Sequence, residues 1–111
     1  MNDYDKYLGG EYDCDCGDSH TVPTRKVIVE RGAINKLPDL IDEMELPKDI
    51  FVVCDENTYE VAGKKVVDVL KDADIKVRYH VFKNEDIHHP DEFAIGSVMM
   101  SMEPEPELLI A

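Results

Sequence analysis

Residues 50–58 have the sequence IFVVCDENT, and this stretch decides the fold class. Its first five residues form a continuous apolar run, which is typical of a central strand that is covered on both faces of a parallel sheet. The polar residues from Asp55 to Thr58 follow at once, and they predict the point where the strand ends and a helix begins. We therefore predict an α/β fold that is built around a parallel sheet.

The segments on both sides of this stretch alternate between strand and helix patterns. Strand patterns, either β-branched or alternating between apolar and polar residues, lie at residues 26–30, 76–82 and 107–111. Helix patterns, with apolar residues at spacings of three and four, lie at residues 34–44, 59–73 and 90–102. This order indicates right-handed βαβ units. The predicted architecture is a three-layer, Rossmann-like sheet with helices on both faces.

The last predicted helix has two further features. Pro90 is expected at its first helical position, where a missing N–H is tolerated. Three methionines, Met99, Met100 and Met102, form a soft cluster that is expected in the core.

The charge and the cysteines exclude several classes of protein. The 111 residues carry a formal net charge of -13, which argues against binding to nucleic acid or to an anionic membrane, because both attract Lys and Arg. No apolar run reaches the ~20 residues that span a bilayer, and the acidic start is unlike a signal peptide. Three cysteines without an export signal favour the cytoplasm and no disulfide framework.

Asp55 is the best candidate for a ligand-binding residue. A carboxylate just past a buried strand can accept hydrogen bonds from the adenine ribose of NAD, and its charge would repel the 2′-phosphate of NADP. Asn57 and Thr58 could add polar contacts to the adenosine. The alternative is that Asp55 or Asn57 only caps the helix that begins near Tyr59, since both residue types are common helix caps. The motifs GxGxxG and GxxxxGK[ST], which bind phosphates, are absent from the sequence.

The stretch DCDCGDSH, residues 13–20, raises the question of a metal site. Cys14, Cys16 and His20 give a C-x-C-x3-H pattern, but C-x-C is tighter than the usual zinc spacing, and no fourth ligand is evident. We therefore interpret residues 1–24 as a polar arm or hairpin and predict no metal ligand in the chain. A small metal-binding module on these three residues remains the alternative. His88 and His89 are adjacent, and adjacent residues rarely converge on one ion, so we expect a solvated loop there.

Three stretches carry a resemblance to a known family. They are DCDCGDSHTVPTRKVIVERGAI, VCDENTYEVAGKKV and PDEFAIGSVMMSMEPEPELLIA, which begin at residues 13, 53 and 90. Together they resemble the amino-terminal part of the sn-glycerol-1-phosphate dehydrogenases, within the superfamily of iron-containing alcohol dehydrogenases and dehydroquinate synthases.

The resemblance implies a fold, a reaction and cofactors. Residues 25–111 would be the amino-terminal, NAD(P)-binding half of a two-domain dehydrogenase, stopping before its phosphate-binding loop and lacking the helical, metal-binding domain. The family reduces dihydroxyacetone phosphate reversibly to sn-glycerol 1-phosphate, for phospholipid synthesis, with NAD(H) or NADP(H). A divalent metal, zinc or nickel, polarises the carbonyl, and its ligands, one Asp and two His, belong to later sequence. The resemblance favours Asp55 as the ribose ligand, places no catalytic residue in this chain, and implies a homo-oligomer.

Two alternatives stay open. The parent could be another polyol or alcohol dehydrogenase of the superfamily, or the chain could be a stand-alone α/β ligand-binding domain.

Overall fold

The computed structural model of the chain describes residues 3–83 and 89–111. The chain forms two compact units, Met1–Ala33 and Ile34–Ala111. None of the described helices is long and apolar enough to cross a membrane.

The first unit contains an antiparallel hairpin. A short 3-10 helix, Asp5–Tyr7, precedes strand β1, Gly10–Asp13, which pairs with strand β2, Ser19–Val22. The turn between the strands is closed by two backbone hydrogen bonds: Cys14 N–H donates to the Asp18 carbonyl, and Gly17 N–H donates to the Cys14 carbonyl, both at 3.0 Å. Gly17 has a φ of 96°, which glycine adopts without the steric cost of a Cβ.

The predicted strand at residues 26–30 is wrong. Residues 23–29 have no regular secondary structure, and Val29 is 80% exposed. A β-branched run becomes a strand only where a neighbouring strand supplies hydrogen-bond partners and packing. The described strands pair with one another and not with residues 26–30.

The second unit contains a parallel sheet of three described strands in the order β4-β3-β5. Strand β3, Asp49–Asp55, is central and pairs with β4, Lys76–Phe82, and with β5, Leu108–Ile110. Phe51 and Ile50 are completely buried, as expected for a strand that is covered on both faces. The strands predicted at residues 50–54, 76–82 and 107–111 are therefore confirmed.

A 3-10 turn, Ala33–Lys36, lies at the boundary of the two units and leads into helix α1, Leu37–Glu43. After β3 the chain continues as a helical turn α2, Glu56–Thr58, a π-helical segment, Tyr59–Gly63, and helix α3, Lys64–Asp72. Helix α4 spans Glu92–Ser101.

The core lies between β3 and the helices α1 and α3. Its buried members are Ile41, Ile50, Val52, Val67, Leu70 and Ile75. The opposite face of the sheet meets α4: the Ser101 hydroxyl lies 2.9 Å from His80 Nδ1, and side chains alternate between faces along a strand. Helices on both faces of a parallel sheet confirm the predicted α/β, Rossmann-like class.

Two predicted features of α4 are wrong. Asp91, not Pro90, marks the start: its carboxylate accepts a hydrogen bond from Ala94 N–H at 2.9 Å, and the helix begins at Glu92. An aspartate at this position satisfies one of the orphan N–H groups of the first turn, so Pro90 lies outside the helix. Met99 and Met100 are 62% and 82% exposed, because these two side chains lie away from the sheet among the described residues.

The exposed side of α4 predicts self-association. Phe93 and Met100 are more than four-fifths exposed there, and contiguous apolar surface of this kind promotes association in water. We expect the purified chain to form dimers or larger species by light scattering, and the double variant Phe93→Glu/Met100→Lys to shift it toward the monomer. Val61→Lys, at an 85% exposed position on another element, is the control and should change little. A wild-type chain that stays monomeric at high concentration would contradict the prediction.

Candidate functional site

Asp55 is the last residue of the central strand, at the carboxyl end of the parallel sheet. It is aligned with Phe82, the last residue of β4, and is half-buried. In open α/β sheets, ligands bind in the crevice beyond the carboxyl ends of the strands. Asp55 therefore lies at the edge of the sheet where folds of this class bind their ligands.

The same side chain caps the helical turn that follows. Asp55 Oδ1 accepts hydrogen bonds from Thr58 N–H and from the Thr58 hydroxyl, both at 2.8 Å. In return, Asp55 N–H lies 2.9 Å from Thr58 Oγ1. This reciprocal arrangement is a capping box, and it starts the helix at Glu56, three residues earlier than the sequence predicts.

The other two predicted cofactor residues differ in their surroundings. Asn57 and Thr58 are both exposed at the start of the helix. The Thr58 hydroxyl is engaged with Asp55 through the capping box. Thr58 thus fixes the orientation of the Asp55 carboxylate, and this role was not predicted from the sequence. The signal that points to it is the Asp-x-x-Thr spacing at residues 55–58.

Gly63 lets the helix approach the strand closely beside this site. A Cβ built on Gly63 would lie 3.1 Å from Cys54 Sγ, which is closer than ordinary van der Waals contact. The sequence signal for this close approach is an isolated glycine inside a helical pattern.

The Cys54 thiol faces this helix. Burial, and then the negative charge of Asp55, raise the pKa of the Cys54 thiol above its ordinary value. Because the thiolate is the nucleophilic form, this cysteine stays protonated at neutral pH.

Among the described residues, the histidines of the second unit do not form a cluster of metal-ligating side chains. His80 is half-buried on the α4 side of the sheet, where it pairs with Ser101 and packs edge-on against Phe82 at 4.5 Å between ring centroids. His89 is exposed before α4, and His88 lies outside the described residues. An open groove of about 530 Å³ next to His89 is lined mainly by apolar side chains of α4, including Ala94 and Val98.

The hairpin of the first unit brings together three residues that the sequence spacing argued against. One ligand atom each from Cys14, Cys16 and His20 lie within 4.8 Å of one another, and Cys16 Sγ is 3.2 Å from His20 Nε2. Hydrogen bonds from the Cys16 backbone, the Cys16 side chain and the Asp15 backbone lower the pKa of the Cys14 thiol. The two thiols and His20 lie close together despite the C-x-C spacing, because the turn after β1 reverses the chain and β2 places His20 beside the thiols.

Comparison with known proteins places this fold in a family. Residues 28–104 match the family model described as iron-containing alcohol dehydrogenase. Over 102 residues the chain is 30% identical to a protein from Halalkalibacterium halodurans named glycerol-1-phosphate dehydrogenase (NAD(P)+), covering 89% of this chain and 25% of the relative. A protein of the same name from Thermoplasma volcanium is 32% identical over 53 residues, which is 48% of this chain and 15% of that relative.

The chain spans about a quarter or less of the length of these curated relatives. No solved structure matches it. Since the family model covers well over half of the chain, and the parallel sheet and its flanking helices fit that match, the chain belongs to the iron-containing alcohol dehydrogenase family.

Proposed function

We propose that this chain is the amino-terminal, cofactor-binding part of an NAD(P)-dependent, metal-dependent dehydrogenase that reversibly reduces dihydroxyacetone phosphate to sn-glycerol 1-phosphate. The proposed reaction follows from the relatives, which are named glycerol-1-phosphate dehydrogenase (NAD(P)+). The observation in the structure that supports a cofactor role is the position of Asp55 at the carboxyl end of β3.

Asp55 would bind the adenosine ribose of the cofactor. The carboxylate that caps the helix would accept the hydrogen bonds of the ribose hydroxyls as a second function. Thr58 holds the carboxylate in one orientation, which reduces the conformational entropy that is lost when the ribose binds. Asn57, exposed beside it, is the second residue that we propose to contact the adenosine.

The other parts of the site would come from sequence outside this chain. The glycine motifs that bind pyrophosphate are absent here. Within residues 3–83 and 89–111, the metal-ligand cluster is two thiols and an imidazole. That soft set does not fit the one Asp and two His that the family resemblance implies, so we assign no catalytic metal ligand to this chain. The nicotinamide, when bound, supplies the hydride; the chain's own residues bind and orient the adenosine end.

The proposal is tested with a dehydrogenase that carries this chain as its amino-terminal part. We expect NAD(P)+ reduction with sn-glycerol 1-phosphate and little with its enantiomer, sn-glycerol 3-phosphate. Equal rates with both enantiomers, or faster oxidation of an unphosphorylated polyol, would favour the alternative that the parent is another alcohol dehydrogenase of the superfamily.

We also expect the 111-residue chain by itself to be inactive. With dihydroxyacetone phosphate, NADH and added zinc or nickel, NADH absorbance should fall no faster than it does without protein, because the glycine motifs that bind phosphates are absent from the sequence. The longer enzyme, assayed under the same conditions, is the positive control. Substrate-dependent NADH oxidation by the short chain would show that its own residues suffice for catalysis.

A further inference from the structure

The β1–β2 hairpin holds three metal-ligating side chains at one end. Cys14, Cys16 and His20 each present one ligand atom, and all three atoms lie within 4.8 Å of one another. Zinc bonds of about 2.0–2.3 Å would place neighbouring tetrahedral ligands about 3.5–3.8 Å apart. The 3.2 Å between Cys16 Sγ and His20 Nε2 is close to that spacing, so binding an ion needs only small side-chain movements.

The backbone fixes where these side chains stand. Tyr12 is paired with His20 across the two strands, and Asp13 with Ser19. The turn hydrogen bond from Cys14 N–H to the Asp18 carbonyl continues this pairing beyond the ladder. Because the strand register and the turn determine all three Cα positions, the ligands are brought together before any ion binds.

The donor set selects the kind of metal. Two thiols and an imidazole suit Zn²⁺ and disfavour Mg²⁺ and Ca²⁺, which prefer oxygen ligands. Three protein ligands leave a fourth tetrahedral position, which solvent can fill. Cys16 and His20 are exposed and Cys14 is half-buried, so an ion can enter directly from water.

We propose that Cys14, Cys16 and His20 form a zinc site at the turn of the β1–β2 hairpin, with solvent as the fourth ligand. The proposal does not depend on the proposed dehydrogenase function. An ion bound there would link the end of β1 to β2 and stabilise a hairpin of only four residues per strand.

The test is metal binding by the 111-residue chain, purified reduced and free of metal. Titration with Zn²⁺ against a chromophoric chelator should give one ion per chain. Titration with Co²⁺ should give thiolate charge-transfer absorption and the visible bands of a tetrahedral ion. Neither readout involves catalysis, so failure of this proposal and failure of the proposed function are distinguishable.

Variants identify the ligands. Cys14→Ser/Cys16→Ser should abolish the charge-transfer absorption and weaken Zn²⁺ binding by more than the roughly 10–100-fold that loss of an outer-shell contact causes. His20→Ala should keep the thiolate absorption but weaken binding. Cys54→Ser removes the third cysteine, which lies in β3, and should bind as the wild type does. Circular dichroism of each variant monitors the fold. No binding by the wild-type chain at micromolar Zn²⁺, or unchanged binding by the double variant, would overturn the proposal.

Discussion

Replacing Asp55 by asparagine should shift the cofactor preference of a dehydrogenase that carries this chain toward NADPH. The wild-type carboxylate would accept hydrogen bonds from the ribose of NADH and would repel the 2′-phosphate of NADPH. The repulsion energy of two like charges ~4 Å apart is about 1 kcal/mol in bulk water and about 4 kcal/mol near a protein surface. We expect the ratio of kcat/KM for NADPH to kcat/KM for NADH to rise by about tenfold, which corresponds to about 1.4 kcal/mol.

Asparagine is the informative substitution because it removes the charge and keeps the helix cap. Asp55 Oδ1 accepts a hydrogen bond from Thr58 N–H at 2.8 Å, and an asparagine oxygen can accept the same bond, since the two residue types rank equally as N-caps. Asp55→Asn should therefore unfold at nearly the same urea concentration as the wild type. Asp55→Ala would remove both functions at once and lose about 0.5–2 kcal/mol of stability as well.

The matched control is Thr58→Ala, which removes the other side chain of the capping box. Thr58 Oγ1 lies 2.9 Å from Asp55 N, and this interaction would be lost while the carboxylate remained. We expect a loss of about 1 kcal/mol in the free energy of unfolding, with the cofactor ratio shifting much less than in Asp55→Asn. If Asp55→Asn leaves the cofactor ratio unchanged, Asp55 is only a helix cap.

The proposed cofactor site shows how much could be predicted from the sequence. The end of β3 was predictable because the continuous apolar run stops at Cys54, and a charged residue such as Asp55 cannot be buried inside the sheet without cost. The sequence pattern placed the start of the helix after β3 too late. The spacing of apolar residues indicates a helix only from the first side chains that face the core. Glu56 and Asn57 are exposed and carry no periodic signal. Only the capping box, a local polar arrangement, marks that boundary.

Two other errors, the strand predicted at residues 26–30 and the burial predicted for the methionines of α4, have a different cause. Val27 and Val29 have high β propensity, yet a strand exists only where a partner completes its hydrogen bonds, and no local pattern reports the partner. Met100 is apolar but 82% exposed, because its burial depends on what packs against the outer side of α4. Both predictions needed tertiary information that lies beyond the segment itself.

In the hairpin, the spacing of Cys14, Cys16 and His20 argued against a cluster of metal-ligating side chains, and the structure shows that the three lie close together. C-x-C is tighter than common zinc spacings, but Gly17 with its positive φ turns the chain back sharply. The strand pairing then returns His20 to the thiols. The usual spacing of zinc ligands reflects the loops that most often hold them. A turn of different geometry can bring the same ligand types equally close together.

Leu70→Ala should strongly destabilise the second unit. Leu70 is completely buried in α3, within the cluster that includes Ile50 and Val52 of the central strand. Truncating a buried leucine removes its transfer free energy and leaves a cavity, at a cost of about 2–5 kcal/mol. Small domains are stable by only about 5–15 kcal/mol, so the midpoint of urea unfolding, followed by circular dichroism at low protein concentration, should fall sharply.

Two matched substitutions separate the causes of that loss. Leu109→Ala makes the same chemical change at a position that is 55% exposed, and it should cost less than about 1 kcal/mol because little apolar area returns to water. Leu70→Met keeps nearly the same volume in the core and should cost less than about 1.5 kcal/mol. Equal losses for the two alanine variants would contradict the assignment of Leu70 to the core. A methionine variant as unstable as Leu70→Ala would mean that side-chain shape at this helix–sheet contact matters more than the volume that it fills.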